Sequence, residues 1–262
     1  MKFKNKYIKK YKPTTPSLRN RIILKQNKKV LPVKYLIKSI KYNAGRNNTG
    51  KITVRHHGSR AHKRYYRSLD INRINAPYSI STLLTIENDP NRTTNIARYI
   101  TPKFKNFYIL ETHKLSNNIQ GINYPYFRFL KDGETVPLKF IPIGSKCYNI
   151  KNNIKDKPKF AKASGSNAIL LKIQNNLASI RLPSKKIITV NANCLATIGQ
   201  PGNINHNLTL KGKAGANRWI GKRPTVRGYA MNPIDHPHGG KTHGGIQPKT
   251  LWGKKAKWYK QK

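Results

Sequence analysis

The chain has 262 residues, and its 53 Lys and Arg against 8 Asp and Glu leave a net charge of +45, self-repulsion that disfavours compaction unless a polyanion neutralises it. At 37% hydrophobic residues it supports modest cores, not one generous core through the whole length. Two cysteines exclude a disulfide framework or a four-cysteine zinc site, and no apolar run long enough for a transmembrane helix occurs, so nucleic acid is the expected polyanion.

Charge marks the boundaries. Residues 1–75 carry 22 Lys and Arg with one acid, Asp70, and residues 201–262 carry 13 with one acid, Asp235. The stretch between them holds 18 with six acids and reads as the globular part. The opening MKFKNKYIKKYKPTTP is basic but has neither the apolar core of a secretory signal nor the Arg- and Ser-rich amphipathic pattern of a transit peptide, so no import signal is expected. Prolines at 13, 16 and 32 and the basic run 25–29 predict an extended arm over the first forty residues that orders on binding. Next, Asn47 to Gly50 has turn chemistry and residues 51–55 alternate as a strand, which predicts a basic hairpin. His56, His57 and His62 stand among Arg55, Arg60, Lys63, Arg64 and Arg67 with no carboxylate, a setting for phosphate contacts or stacking and not for a metal. Tyr65 and Tyr66 among these cations suit base or ribose stacking.

From Ala76 the pattern becomes that of short strands. Residues 78–87, 95–101, 106–111 and 136–143 are apolar or β-branched runs separated by Pro, Gly and Asn clusters, which predicts a small barrel of OB-fold size. Residues 167–173, 177–182 and 187–190 follow as a meander joined by Asn175-Asn176 and by residues 183–186, the grammar of an SH3-like barrel. Glu87 and Asp89 read as a loop-capping pair bridged to Arg92 or Arg98, and Cys147 and Cys194 as buried reduced thiols. The resulting fold class is mostly β: a basic N-terminal extension with a hairpin over 1–75, an OB-fold RNA-binding barrel over 76–150, an SH3-like barrel over 151–210 and a Gly-rich basic extension over 211–262.

That last extension carries the densest chemistry. Eight glycines and three prolines in residues 212–245 preclude a long helix, since Gly costs about 1 and Pro about 3 kcal/mol in a helix interior. Among the turns stand Lys213, Arg218, Lys222, Arg223, Arg227 and Lys241, the rings of Trp219 and Tyr229, and His236, His238 and His243. Glycine lets backbone N–H groups approach phosphate oxygens with no Cβ in the way. No GxxxxGK[ST] loop occurs, and the three histidines, with one acid and many cations nearby, make a poor zinc site. Asp235-His236 is the one pair that invites a catalytic story, yet adjacent residues rarely face one another and no nucleophile elbow accompanies them.

These motifs resemble the L2 family of large-subunit ribosomal proteins in its bacterial and organellar form. The likeness runs through KKYKPTTP (9–16), GRNNTGKITVRHHG (45–58), KRYYRSLDINR (63–73), IENDPNRTTNIARYI (86–100), VPLKFIPIGSKCYNI (136–150) and LPSKKIITVNANCLATIGQPGNINH (182–206), and on into residues 212–245. It departs at Lys241-Thr242-His243, where the family usually continues with Gly and an acid, and at Ala216, where it usually has Arg. The resemblance implies a structural protein that organises large-subunit ribosomal RNA near the peptidyl-transferase centre and supports subunit association, with no independent enzyme activity. It implies neighbouring ribosomal proteins and the small subunit as partners, no membrane and no homo-oligomer, and no cofactor beyond Mg2+ carried by the RNA. Expected RNA contacts are Arg46, Lys51, Arg55, His56, His57, Arg60, His62, Lys63, Arg64, Tyr65, Arg67, Lys211, Lys213, Arg218, Trp219, Lys222, Arg223, Arg227, Asn232, His236, His238 and Lys241. His236 matches the position long discussed for peptide-bond formation; placement beside an RNA reaction centre is the expectation for it and Asp235. The 38 Lys, 28 Asn and 29 Ile use AT-rich codons, which favours an organelle-encoded mitochondrial protein, with a plastid or bacterial cytoplasm as the alternative.

Overall fold

The computed structural model describes residues 7–25, 30–58, 64–71, 73, 80–103, 105–114, 118–120, 130–241 and 247–255. Proximity groups them into two compact units, Met1–Lys41 with Lys63–Lys213, and Tyr42–His62 with Ala214–Lys262. No helix among the described residues is long and apolar enough to cross a membrane.

The first unit opens on a departure from expectation. Residues 7–25 do not run out as an arm: β1 (Ile8–Lys10) and β2 (Ile22–Leu24) pair antiparallel around α1 (Pro16–Arg19). Pro16 opens the short helix, where a missing N–H leaves no bond unmade, so a proline that looked like an extender is an initiator. Ile22 then exchanges two 3.0 Å backbone bonds with Leu210, which ties the hairpin down.

Beyond it, β3 (Ile37–Lys38) pairs with β4 (Tyr66–Arg67). β5 (Ile80–Glu87), β6 (Ile96–Ile100), β7 (Asn106–Leu110) and β8 (Asn118–Gln120) form an antiparallel sheet in the order β7-β6-β5-β8. Ala97, Tyr99, Phe107 and Ile109 make its core. The hydroxyl of buried Tyr108 accepts the Val33 N–H at 3.0 Å and donates to Glu87 at 2.9 Å, linking residues 30–38 to the sheet. Burial pushes Tyr108 up to about 12, so it stays a donor at neutral pH, and burial also raises Glu87. Asp89 caps Asn91 N–H and pairs with Arg92, as expected of that loop; Glu87 is occupied by Tyr108.

The second sheet has the order β13-β12-β11-β10-β14-β9, from β9 (Thr135–Pro137), β10 (Lys146–Tyr148), β11 (Ala168–Gln174), β12 (Leu177–Arg181), β13 (Ile187–Asn191) and β14 (Leu195–Ile198). Gln174 pairs with Leu177 across Asn175-Asn176, both at positive φ, the primed turn whose twist matches a hairpin and which asparagine tolerates. The strand expected over 136–143 stops at Pro137, which cannot donate to a ladder, and residues 138–140 tighten into a 3-10 turn. Val136, Leu138, Leu170, Ile180, Val190 and both cysteines fill the core. Burial pushes the Cys147 thiol up to about 12, which leaves it protonated and inert. The architecture is mostly β, an OB-fold barrel followed by an SH3-like barrel.

Polar bonds join the two sheets: Thr112 Oγ1 to Tyr148 OH at 2.7 Å, His113 N–H to the Gln200 carbonyl at 2.9 Å and Gly202 N–H to the Glu111 carbonyl at 2.8 Å. The Glu111 carboxylate lies against Gly202, with Oε2 buried and unbonded, and burial raises its pKa. A carboxyl raised in the folded state contributes stability that is present at low pH and lost as pH rises through its folded value. Glu111→Gln, which cannot ionise, is therefore expected to stabilise the fold by about 1 kcal/mol at pH 7, with the gain fading as pH falls through 4.5, the ordinary value. Thermal unfolding at pH 7 and pH 4 checks this; an equal gain at both would show that ionisation is not the cause.

Candidate nucleic-acid interface

The second unit begins with a loop where a strand was expected. Asn47 Oδ1 accepts bonds from Thr49 N–H, the Thr49 hydroxyl and Lys51 N–H at 3.1, 2.8 and 2.9 Å, and the Gly45 carbonyl accepts from Thr53 and Val54 N–H. An asparagine that supplies local acceptors competes with a ladder, so of the hairpin predicted over residues 46–55 only the Arg46 to Ile52 bridge forms. Arg46 bends back onto the Ala44 carbonyl at 3.0 Å, whereas Lys51 and Arg55 are exposed.

Residues 56–58 then join residues 217–223. His57 bridges Lys222 antiparallel, Arg223 N–H donates to the His56 carbonyl at 2.9 Å, and Gly58 N–H donates to the Gly221 carbonyl at 2.9 Å. Gly58 packs closely here, since a Cβ there would meet the Arg223 stem at 3.2 Å and displace it slightly. α2 (Gly215–Trp219) supplies Arg218, and Ala216 is its one buried residue, at the position where an arginine was expected from the family pattern. Arg55, His56, His57, Arg218, Lys222 and Arg223 thus line one concavity of about 500 Å3. No carboxylate lines it.

The turn after it holds Asp235 and His236, the pair expected to be placed beside an RNA reaction centre and not to act as catalysts. His236 Nδ1 accepts the His238 N–H at 3.0 Å, so a neutral His236 ring carries its proton on Nε2. The tautomer is set by that amide; Asp235 is exposed, and its N–H closes the turn onto the Asn232 carbonyl. His238 is buried, stacked on Tyr229 with ring centroids 4.8 Å apart and tilted against His236 at 4.8 Å. Its Nε2 lies 3.0 Å from Lys249 N–H and 3.2 Å from the Gln247 carbonyl. An amide can only donate, so Nε2 is the acceptor there and the Gln247 carbonyl is a neighbour, not a partner. Among the described residues no group of His, Cys, Asp or Glu is placed to hold a metal.

The remaining predicted residues are distributed. Trp219, Arg227, Asn232 and Lys241 are exposed in the second unit. Arg64, Tyr65, Arg67, Lys211 and Lys213 belong to the first, with Arg64 bonded to the Pro90 carbonyl and Arg67 to the Tyr65 carbonyl, both at 2.9 Å. Arg60, His62, Lys63 and His243 lie outside the described residues. Arg64 and Arg67 share a broad groove in the first unit with Lys9, Arg21, Arg92 and His206. None of those four was expected to contact RNA, Arg92 having been read only as an ion-pair partner, because the groove is assembled from segments far apart along the chain.

The comparisons with known proteins agree with this architecture. Residues 33–119 match the family model for Ribosomal Proteins L2, RNA binding N-terminal domain, and residues 131–257 match Ribosomal Proteins L2, C-terminal domain. The chain is similar to the large ribosomal subunit protein uL2 of Buchnera aphidicola subsp. Schizaphis graminum, at 40% identity over 257 residues, 95% of this chain and 92% of that one.

Proposed function

The chain belongs to the ribosomal protein L2 family, and from that premise we propose that it is a structural protein of the large ribosomal subunit that binds and organises large-subunit ribosomal RNA. The observation that carries the reading is electrostatic. The second unit's segments hold 15 Lys and Arg against a single acid, Asp235, and part of that charge converges on a concavity with no carboxylate. Such a surface is completed by phosphates, whose bound counterions are released as Lys and Arg replace them.

In this reading the two barrels are a rigid platform, and the loops of the second unit thread RNA near the peptidyl-transferase centre. Arg46, Lys51, Arg55, Arg218, Lys222, Arg223, Arg227 and Lys241 contact phosphate; Tyr65 and Trp219 supply stacking platforms; His56, His57, Arg60, His62, Lys63, Arg64, Arg67, Lys211 and Lys213 are further RNA contacts. Asn232, His236 and His238 shape a turn beside RNA that performs the chemistry. Magnesium arrives with the phosphates and keeps most of its waters. Neighbouring ribosomal proteins and the small subunit are the protein partners, with the chain present as a single copy. The Lys, Asn and Ile content favours a mitochondrial ribosome, with plastid and bacterial ribosomes as alternatives; the Buchnera relative fits the bacterial alternative.

Co-sedimentation decides the matter. The tagged protein is expected to run with the large subunit in a sucrose gradient and to stay there through a high-salt wash. Release by the wash, or equal binding to DNA and ribosomal RNA by the purified protein, would identify a free nucleic-acid-binding module instead.

A further inference from the structure

The concavity at residues 55–57 and 214–225 says more than that phosphates bind. It is lined by the cations Arg55, Arg218, Lys222 and Arg223, but also by Ala214, Pro224, His56 and His57. A duplex presents a convex ridge of phosphates and keeps its bases in the stack, so it uses the cations and offers nothing to the apolar and imidazole lining. A single unstacked nucleotide suits both kinds of lining, its phosphate the cations and its base the histidines and Pro224. The size agrees: about 500 Å3 falls in the range of about 300–1,000 Å3 that encloses small ligands.

Backbone strain supports the same reading. His56 sits at φ +59, a left-handed conformation uncommon for a residue with a Cβ. It is held there by the Arg223 N–H on its carbonyl and by the adjoining His57 to Lys222 bridge. Those main-chain bonds pin His56 and His57 in the lining of the concavity before any ligand arrives. Strain of this kind persists only where the surroundings over-determine it and marks binding sites more than plain surface.

We infer that this concavity is a receptor for one everted nucleotide of an RNA strand, with the base taken by the part lined by His56, His57 and Pro224 and the flanking phosphate on Arg218 and Arg223. The inference rests on the RNA-binding reading and narrows it from phosphate backbone to a bulged or looped-out residue. It also explains why the site is built from two segments: everting a base gives up stacking and pairing, and a preformed slot recovers that loss where a mobile loop would not.

The test uses the full-length protein and three RNA hairpins of equal length, one fully paired, one with a single 2-aminopurine bulge and one with an abasic bulge. The bulged hairpin is expected to bind about tenfold more tightly than the other two, with its fluorescence quenched as the base stacks. His57→Ala keeps the main-chain bridge and is expected to erase the preference by bringing the bulged hairpin down to the affinity that the same variant has for the paired one. Equal affinity for all three hairpins, with the steep salt dependence retained, would overturn the nucleotide slot and leave the RNA-binding reading intact. Failure to bind any of them would overturn both. Adenosine monophosphate competing at the concentration of the bulged hairpin would identify a free-nucleotide site and overturn the inference as stated.

Discussion

Replacing Arg218, Arg223 and Arg227 together with glutamine is expected to lower affinity for a large-subunit ribosomal RNA fragment by about two to three orders of magnitude at 0.1 M salt. Each phosphate neutralised contributes about 0.9 to the slope of log affinity against log salt, so three lost contacts flatten the slope by about 2.7 and remove a similar number of decades at 0.1 M. Glutamine is the informative replacement because the Arg223 stem packs over Gly58, and glutamine keeps the first methylenes of that contact. All three arginines are exposed, so the effect on folding is small and the loss is one of binding. Asp235→Asn, at an exposed site, leaves the slope near its original value. Filter binding across a salt series measures both quantities; a triple variant with an unchanged slope would show that these side chains do not face RNA.

The sequence announced the parts of this fold that rest on local rules. Residues 96–100, 106–110, 168–174, 177–181 and 187–191 form strands close to where apolar and β-branched runs predicted them, and Asn175-Asn176 makes the expected primed turn. The readings that failed did so where a side chain competed with the backbone pattern. Asn47 captures three donors and dissolves the predicted strand at 51–55, Pro137 ends a strand expected to reach residue 143, and Pro16 starts a helix inside the supposed arm. At the candidate site, the residue types were legible and their partnership was not. Nothing local in residues 55–57 reveals that they close onto residues 217–223, more than 150 positions later, because that closure is made by backbone bonds between His56, His57 and Gly58 and the turn at Gly221 to Arg223. At His236 the expectation that an adjacent aspartate would not face the ring agrees with the structure, but the group that does fix the ring, the His238 amide two residues on, was not legible.

The same substitution at two glycines of the second unit is expected to act in opposite directions. A Cβ at Gly239 would fall on the carbonyl carbon and oxygen of Asn232 and close to the Met231 carbonyl, all of them backbone. Backbone cannot rotate aside as a side chain does, so Gly239→Ala must open the turn. The bonds at stake are Asp235 and His236 N–H to the Asn232 carbonyl, Gly239 N–H to the His236 carbonyl and Gly240 N–H to the Met231 carbonyl. Each contributes about 1 kcal/mol, and losing them together destabilises the turn by about 3–4 kcal/mol. The stack of His238 on Tyr229 and the His238 amide on His236 Nδ1 depend on that turn and should go with it. Gly215, at the start of α2, has no atom within 4 Å of a Cβ and no positive φ, so Gly215→Ala meets no clash and gains about 0.5–1 kcal/mol from reduced freedom of the unfolded chain. Hydrogen exchange distinguishes the two. Amides of residues 235–240 should lose protection in Gly239→Ala while those of the barrels keep theirs, and the Gly221 and Lys222 amides that close α2 should gain protection in Gly215→Ala. If Gly239→Ala left the 235–240 amides as protected as before, the turn would have room that its carbonyl packing denies. In that case His236 would not be held in one place by its neighbours, and its role as a fixed element beside RNA would have to be given up.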